Sequence, residues 1–539
     1  MAEASISRVL PDSSFSSKET DITHWEYSME YPGLCYTTNP KPVISAESIL
    51  SKLPTFHSQL HPDNHVPLLL VTPAFAPWLE KGHTFLPKLL QHCFRGVVSE
   101  NVEMCSVEAV VDKLPISVDD TNTLTNGGNN GMEGLSLAIV NWGAISGKLV
   151  PQRGMENISP SHTEPKLSIS IQNPSTGAEV EVGMPMANTL FTTGRPYTMY
   201  ASRWNSTECA DDVPKMTDRC DLRMCRVGLR TEPKLTLLQT PLHPVTEPRT
   251  ITESMGNILK TVADEKDPTN DLPASTELEK AIPQYIKEKN LENQRLAVWA
   301  MVTPKSIAEA HLESCSDGDV DIPASVKMGS RLYRIMSGGG GWGKKKGLLS
   351  LDPEYSYDDQ EPLSTLASIH EIFDEDITEK HSADAILFRV LDSAPKLTDF
   401  GGNVMSPLRE DVTAGDVVQF FVASLDDALG NEAMRSESEL LTMARAGKTE
   451  GNTQLHFRVL PEPTDAPVPT PATKLSVGEG ASPSAEIIVQ PNRFGACSEK
   501  SMVYSRSGSD AIRASGTKID VPGARILAEI PCEKPIFRM

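Results

Sequence analysis

The sequence predicts a mixed α/β (α+β) fold, with β-sheets flanked by helices and interrupted by long loop insertions. Three observations carry this. Apolar runs of strand length, such as "VPLLLV" and "RLAVWAMV", recur along the chain. Segments with helical spacing are interleaved with them and are fewer. Polar stretches and 41 prolines separate the two kinds. A chain of 539 residues exceeds what one hydrophobic core serves. The expected division is a poorly ordered leader over 1–53, a first α/β unit over 54–304 and a second over 305–539.

Each element has a local reason. "HVPLLLV" is a buried strand, and in "HTFLPKLLQHCF" Phe85, Leu89, Leu90, Cys93 and Phe94 recur at helical spacing, with Thr84 placed to cap and Pro87 tolerated in the first turn. "VEMCSVEAVV" and "GLSLAIVNW" are strands around a glycine-asparagine loop. "KLSISIQ" and "AEVEVG" alternate with period two about "NPSTG", which predicts a hairpin, and "NTLF" with "YTMYAS" about "TTGR" predicts a second. The charged stretch from Asn205 to Leu222 has no pattern and reads as an insertion.

Further on, "KLTLLQTPL" is a strand, "GNILKTV" a short element, and "ASTELEKAIPQYIKEKN" an amphipathic helix that Pro283 should kink. "RLAVWAMV", "RLYRIM", "GLLSL", "AILFRVL", "DVVQFFV", "LHFRVL" and "AEIIV" are strands. "LSTLASIHEIF" sets Leu363, Leu366, Ile369 and Phe373 on one helical face, and "NEAMRSESELLTMARAGK" is a helix stopped near Gly447. The proline-rich stretch 461–485 lacks the means to pack a core.

Fifty basic against seventy-two acidic side chains give a formal charge of −22, which repels phosphate backbones and anionic lipid, so nucleic acid is not an expected partner. No apolar run reaches the roughly 20 residues that cross a bilayer. The nine cysteines show no C-x-x-C spacing and read as reduced thiols, and Cys209, Cys220, Cys225 and His243 lack the chelate spacing of a zinc site. No metal or cofactor is expected. The N-terminus has neither a secretory core nor a basic presequence helix; cytoplasm is the expected compartment, with mitochondria as the alternative.

The least ordinary stretch is "SGGGGWGKKKGLLSLDPE". Gly338, Gly343 and Lys344 satisfy G-x-x-x-x-G-K, but Lys345 stands where a Ser or Thr should hold magnesium. "GLLSLDP" reads as a strand, so the aligned amides of a helix N-terminus are missing. The expected structure is a hairpin whose connection is a glycine arch, with Gly338, Gly339, Gly340, Gly341, Trp342 and Lys344 as ligand-contacting residues of a lid. The alternative is glycine that merely lets two backbones approach. Arg195 and Arg203, near Trp204, are candidates for an anion pocket against ordinary cross-strand packing. "HEIFDED" lacks the second histidine of a metalloprotease helix and reads as a solvated helix face, and "GLSLA" around Ser136 lacks the last glycine of a nucleophile elbow. No catalytic residue is assigned.

Several stretches then follow in order: "LLLVTPAF" with "MCSVEAVV"; "NTLFTTGRPYTMYASRW"; "LHPVTEPRTITESMGNILKTV" with "ASTELEKAI"; "VTAGDVVQFFVASLDDALG"; and "NRFGACSEKSMVY". This series, from Pro54 to Ser507, resembles the FIST domain, a sensory module of F-box and intracellular signal-transduction proteins. The resemblance implies a small-ligand sensor, with an amino acid or another anionic metabolite as ligand, attached to protein partners, and it supplies no catalytic residues. The expected function is therefore non-enzymatic sensing or an adaptor role. The alternatives are an enzyme on a phosphorylated or carboxylated metabolite with the 338–347 loop as lid, and a scaffold in an intracellular or organellar assembly.

Overall fold

The computed structural model describes residues 33–37, 44–53, 60–95, 102–115, 131–150, 165–206, 213–264, 267, 270–291, 296–312, 322–338, 347–352, 366–374, 412–423, 452–461, 487–507 and 515–531. It is mixed α and β and dominated by sheets, three of which hold most of the described strands.

The largest sheet is built around the strand of "HVPLLLV". His65–Val71 is buried along its whole length. Val66, Leu68 and Leu70 enter one core, Leu69 and Val71 another. A strand covered on both faces needs no polar alternation, which is why the run is continuous. It pairs in parallel with Glu103–Val110, and the helix Phe85–Cys93 lies between them in the chain. Glu133–Asn141 lies antiparallel on its other side, followed by Gly33–Thr37 and Ile487–Pro491. On the far side of Glu103–Val110 come Met199–Asn205 and then Lys215–Arg230. This 16-residue strand continues past its first partner to pair with Ile145–Leu149 and Lys166–Gln172. Lys166–Gln172 and Glu179–Pro185 form the expected hairpin, extended by Met502–Ser507 and Ser515–Ile519. The sheet thus draws strands from both sides of residue 304, and from the 1–53 segment.

A second sheet closes on itself. Arg249–Met255, Ile258–Ala263, Leu349–Leu351, Arg331–Gly338, Ala297–Thr303 and Val417–Ala423 pair antiparallel in that order, and the last pairs back with the first. Alternate residues fill this six-stranded barrel: Ile251, Leu259, Ala300, Val302, Tyr333, Leu351, Val418 and Phe420 share one cluster, capped by Leu278 of the helix Ser275–Lys289. The other set, Trp299, Met301, Leu332 and Phe421, packs outward into the main core. Trp299 there donates its indole N–H to Asp520 at 2.7 Å. A third sheet, in the order Leu235–Gln239, Arg525–Pro531, Asn452–Val459, Arg493–Ser498, has Leu455, Phe457, Phe494, Ala496 and Ile526 on its core face.

Several local expectations are corrected. Thr84 makes no capping bond; the Phe85 N–H is taken by His83 Nδ1 at 3.2 Å. "NTLF" forms a short helix, Leu190–Thr193, and Met199–Asn205 pairs elsewhere, because Gly194 turns the chain at φ 74° instead of closing a two-strand ladder. The last part of the supposed insertion, from Lys215 to Leu222, is the start of the long strand Lys215–Arg230, where Asp221 pairs with Arg195 and Arg219 donates to the Leu79 carbonyl. Ser275–Lys289 runs through Pro283, where one missing amide is tolerated by an otherwise bonded helix ending at Asn290. "LSTLASIHEIF" yields, among described residues, a bridge at Ala367–Ser368 and a tight turn at Glu371–Phe373. "AILFRVL", "NEAMRSESELLTMARAGK" and most of 461–485 lie outside the described residues. No helix among the described residues is long and apolar enough to cross a membrane.

Candidate functional site

The glycine-rich stretch is flanked by a strand on each side. Arg331–Gly338 enters it, Leu349–Leu351 leaves it, and the two pair antiparallel, with Gly338 opposite Leu349. The chain after Gly347 is therefore a barrel strand, with no helix terminus to orient amides toward a phosphate. Asp352, at the end of that strand, is held by the Lys518 ammonium at 3.0 Å. Gly339, Gly340, Gly341, Trp342 and Lys344 lie outside the described residues.

Arg195 and Arg203 do not converge. Arg195 pairs with Asp221 and stacks over the Tyr200 ring at 5.6 Å, beside the core that holds Tyr200 and Trp204. Arg203 points to the opposite sheet face, 3.4 Å from Glu103 and 4.6 Å over the Phe373 ring. Three residues apart on one strand, Tyr200 and Arg203 must face opposite ways.

On the Tyr200 face lies a closed polar network. Glu108 is wholly buried; Ser106 and Ser202 donate to its carboxylate, Ser202 at 2.8 Å, and Arg219 Nη2 lies 3.9 Å away. Trp204 Nε1 donates to Ser106 at 2.9 Å, and Arg219 also donates to the Leu79 carbonyl at 2.6 Å. Burial raises the Glu108 pKa against the opposing pull of Arg219 and the serines. The Glu108 oxygens are both occupied, while Arg219 Nη2 is buried without a hydrogen bond and faces Glu108 only as a charge, so the network holds the sheet through that ion pair and the serines.

The third sheet is different. The face opposite its apolar side carries a transverse row read from the register: Gln239 opposite Arg525, Arg525 opposite Arg458, Arg458 opposite Cys497. Arg458 is 5% exposed and Arg525 6%. Directly opposed residues in an antiparallel pair have Cβ atoms about 4.5–5.5 Å apart, and like charges there are destabilising. The Arg458 Nε and Nη2 atoms are buried and make no hydrogen bond, and the Gln239 Oε1 beside the row is likewise unsatisfied. Burial lowers the pKa of both arginines. One position along, His456 is pulled down to about 3 by burial and by Arg458 and Arg493, so it is neutral at physiological pH. A buried guanidinium without an acceptor is costly. Planar N–H donors that lack a partner match a carboxylate or phosphate in both charge and geometry.

Nothing in the sequence singled this row out. His456 and Arg458 alternate with Leu455, Phe457 and Val459, the pattern of a half-solvated strand. Only the burial of both faces turns an ordinary outward arginine into an unsatisfied one. No family model, curated protein or solved structure matches the chain.

Proposed function

We propose that this chain is a non-enzymatic sensor or adaptor of the FIST type that binds a small anionic metabolite at the Arg458–Arg525 row. The observation that carries this reading is the buried, unsatisfied Arg458 guanidinium facing Arg525. A carboxylate or phosphate seated there accepts the hydrogen bonds that Arg458 Nε and Nη2 leave unmade. The ordered motif series supports the same reading, with an amino acid or a phosphorylated metabolite as ligand class and a protein as the downstream partner. The five free cysteines of the described residues agree with a reducing compartment, so cytoplasm is proposed.

The test is calorimetric titration of the full chain with free amino acids, sugar phosphates and inorganic phosphate, repeated on Arg458→Met. Saturable binding of one of these anions that is lost in the variant supports the reading. An absence of anion binding, or binding equal in both proteins, overturns it.

A further inference from the structure

On the opposite face of the main sheet, Cys105, His370 and Glu103 present one donor atom each, all within 4.8 Å of one another. They come from two distant parts of the chain. Cys105 and Glu103 project from the same side of Glu103–Val110, two residues apart. His370 is carried by the short segment 366–374, which the sheet holds firmly. Ala367 and Ser368 bridge to Gly147 and Ser146, and Ile369 and Ile372 are buried at 0% and 2% exposure. A side chain at Gly147 would strike Ile372, its Cβ coming to 2.8 Å from Cδ1. The turn itself is locked reciprocally: Ser368 N–H donates to Glu371 Oε2 at 2.9 Å, and Glu371 N–H to Ser368 Oγ at 3.3 Å. Phe373 then packs under Arg203, and the His370 ring meets Trp142 edge-on at 5.8 Å.

The spacing has a specific meaning. Cys105 Sγ lies 3.6 Å from His370 Nδ1. For a tetrahedral ion with Zn–S of about 2.3 Å and Zn–N of about 2.0–2.1 Å, the sulfur and nitrogen are roughly 3.5 Å apart. The imidazole is oriented by packing with Nδ1 toward the thiol, while its Nε2 is buried without a hydrogen bond. Glu103 is half-exposed and free to close the remaining gap. Its contact with Arg203 is loose, since Arg203 Nε makes no hydrogen bond. Thiolate, imidazole and carboxylate are the donors that a borderline dication selects.

We infer that Cys105, His370 and Glu103 form a three-ligand site for a zinc-type divalent cation, leaving a fourth tetrahedral position open. Binding replaces the Cys105 S–H bond by a sulfur–metal bond, and the proton leaves to solvent. Three protein ligands with an open position is the coordination of a site that takes an exchangeable ligand.

The test uses the full chain, stripped with a chelator and then titrated with Co(II) and, in competition with a chromophoric chelator, with Zn(II). The expected result is one equivalent bound per chain, with a thiolate-to-cobalt charge-transfer band and the intense visible bands of a four-coordinate ion. Cys105→Ser abolishes the charge-transfer band, His370→Gln weakens Zn(II) binding at least tenfold, and Cys93→Ser, a buried thiol in the other core of the sheet, keeps both signals. His370→Gln lies in a surface turn and serves as the deciding variant if Cys105→Ser does not fold. Wild-type protein that binds no Co(II), a charge-transfer band that survives Cys105→Ser, or Zn(II) affinity unchanged in His370→Gln overturns the inference.

Discussion

Trp299 on the outer wall of the barrel donates to Asp520 at 2.7 Å, across the seam between the barrel and the strand Ser515–Ile519. The Asp520 carboxylate is also 3.8 Å from Lys518, whose ammonium reaches Asp352 at the exit of the glycine hairpin. Burial raises the Asp520 pKa, and the Trp299 bond is the largest influence opposing it. The indole, the Lys518–Asp352 pair and the Leu332 N–H bond to Thr517 Oγ1 at 2.8 Å together tie the closed ring to that strand.

Trp299→Phe removes the donor and also leaves a small void where the fully buried indole stood, so the hydrogen bond sets the lower bound of the loss. The expected cost is at least about 1.5–3 kcal/mol, the range for a hydrogen bond to a charged group, read from urea titration at neutral pH.

Arg219→Met strands Glu108 as a buried carboxylate, with an expected loss of about 3–5 kcal/mol near neutral pH. The sign of its pH dependence follows from the raised Glu108 pKa. The folded state holds the proton more tightly than the unfolded state, so this stabilising contribution is complete below the ordinary carboxyl pKa and is lost as pH rises through the folded value. Removing Arg219 lifts that value further. The deficit of the variant, followed by urea titration across pH, should shrink steadily on acidification.

Arg458→Met should raise stability in anion-free buffer by about 1–2 kcal/mol, because it removes a buried cation whose Nε and Nη2 have no acceptor. Thermal unfolding in a buffer free of carboxylate and phosphate measures it; a destabilised variant would mean that the guanidinium is satisfied.

Gly495→Ala is expected to be among the most damaging substitutions of the third sheet. Its Cβ would lie 1.8 Å from the His456 carbonyl oxygen, a backbone atom fixed in a parallel ladder. Overpacking commonly costs 1–3 kcal/mol, and the loss here should be about 3 kcal/mol or more. Gly228→Ala, whose Cβ meets nothing closer than 3.6 Å, is the matched control and should unfold near the wild-type denaturant concentration.

Phe191→Ser should leave stability within about 0.5 kcal/mol, since Phe191 is 98% exposed. Thermal unfolding of the variant checks this directly.

What was legible in the sequence follows the physics of each segment. His65–Val71 and the hairpin Lys166–Gln172/Glu179–Pro185 announce themselves because their apolar pattern is local. The hairpin around the glycine stretch was legible for the same reason, as apolar runs lie on both sides. Lys215–Arg230 was not: Asp218, Arg219 and Asp221 break its alternation, and Arg219 and Asp221 are matched by Leu79, Glu108 and Arg195, far away in sequence. In "LSTLASIHEIF" the apolar spacing fits one helix from Leu363, but Ser368 and Glu371 exchange hydrogen bonds as a capping box, which starts a single helical turn there instead of upstream. Barrel closure and the approach of His370 to Cys105 are tertiary events without a local signature. The arginine row is hidden in the same way, since register and double-sided burial create it.

The ring of six strands also sets an order of events during synthesis. Its first five members lie between Arg249 and Leu351, but the strand that joins the ends, Val417–Ala423, is translated last. Five strands paired without that segment would form an open curved sheet with two bare edges, at Arg249–Met255 and Ala297–Thr303, each able to accept a foreign strand. Both edges are thus covered in one step, by the strand that is made last.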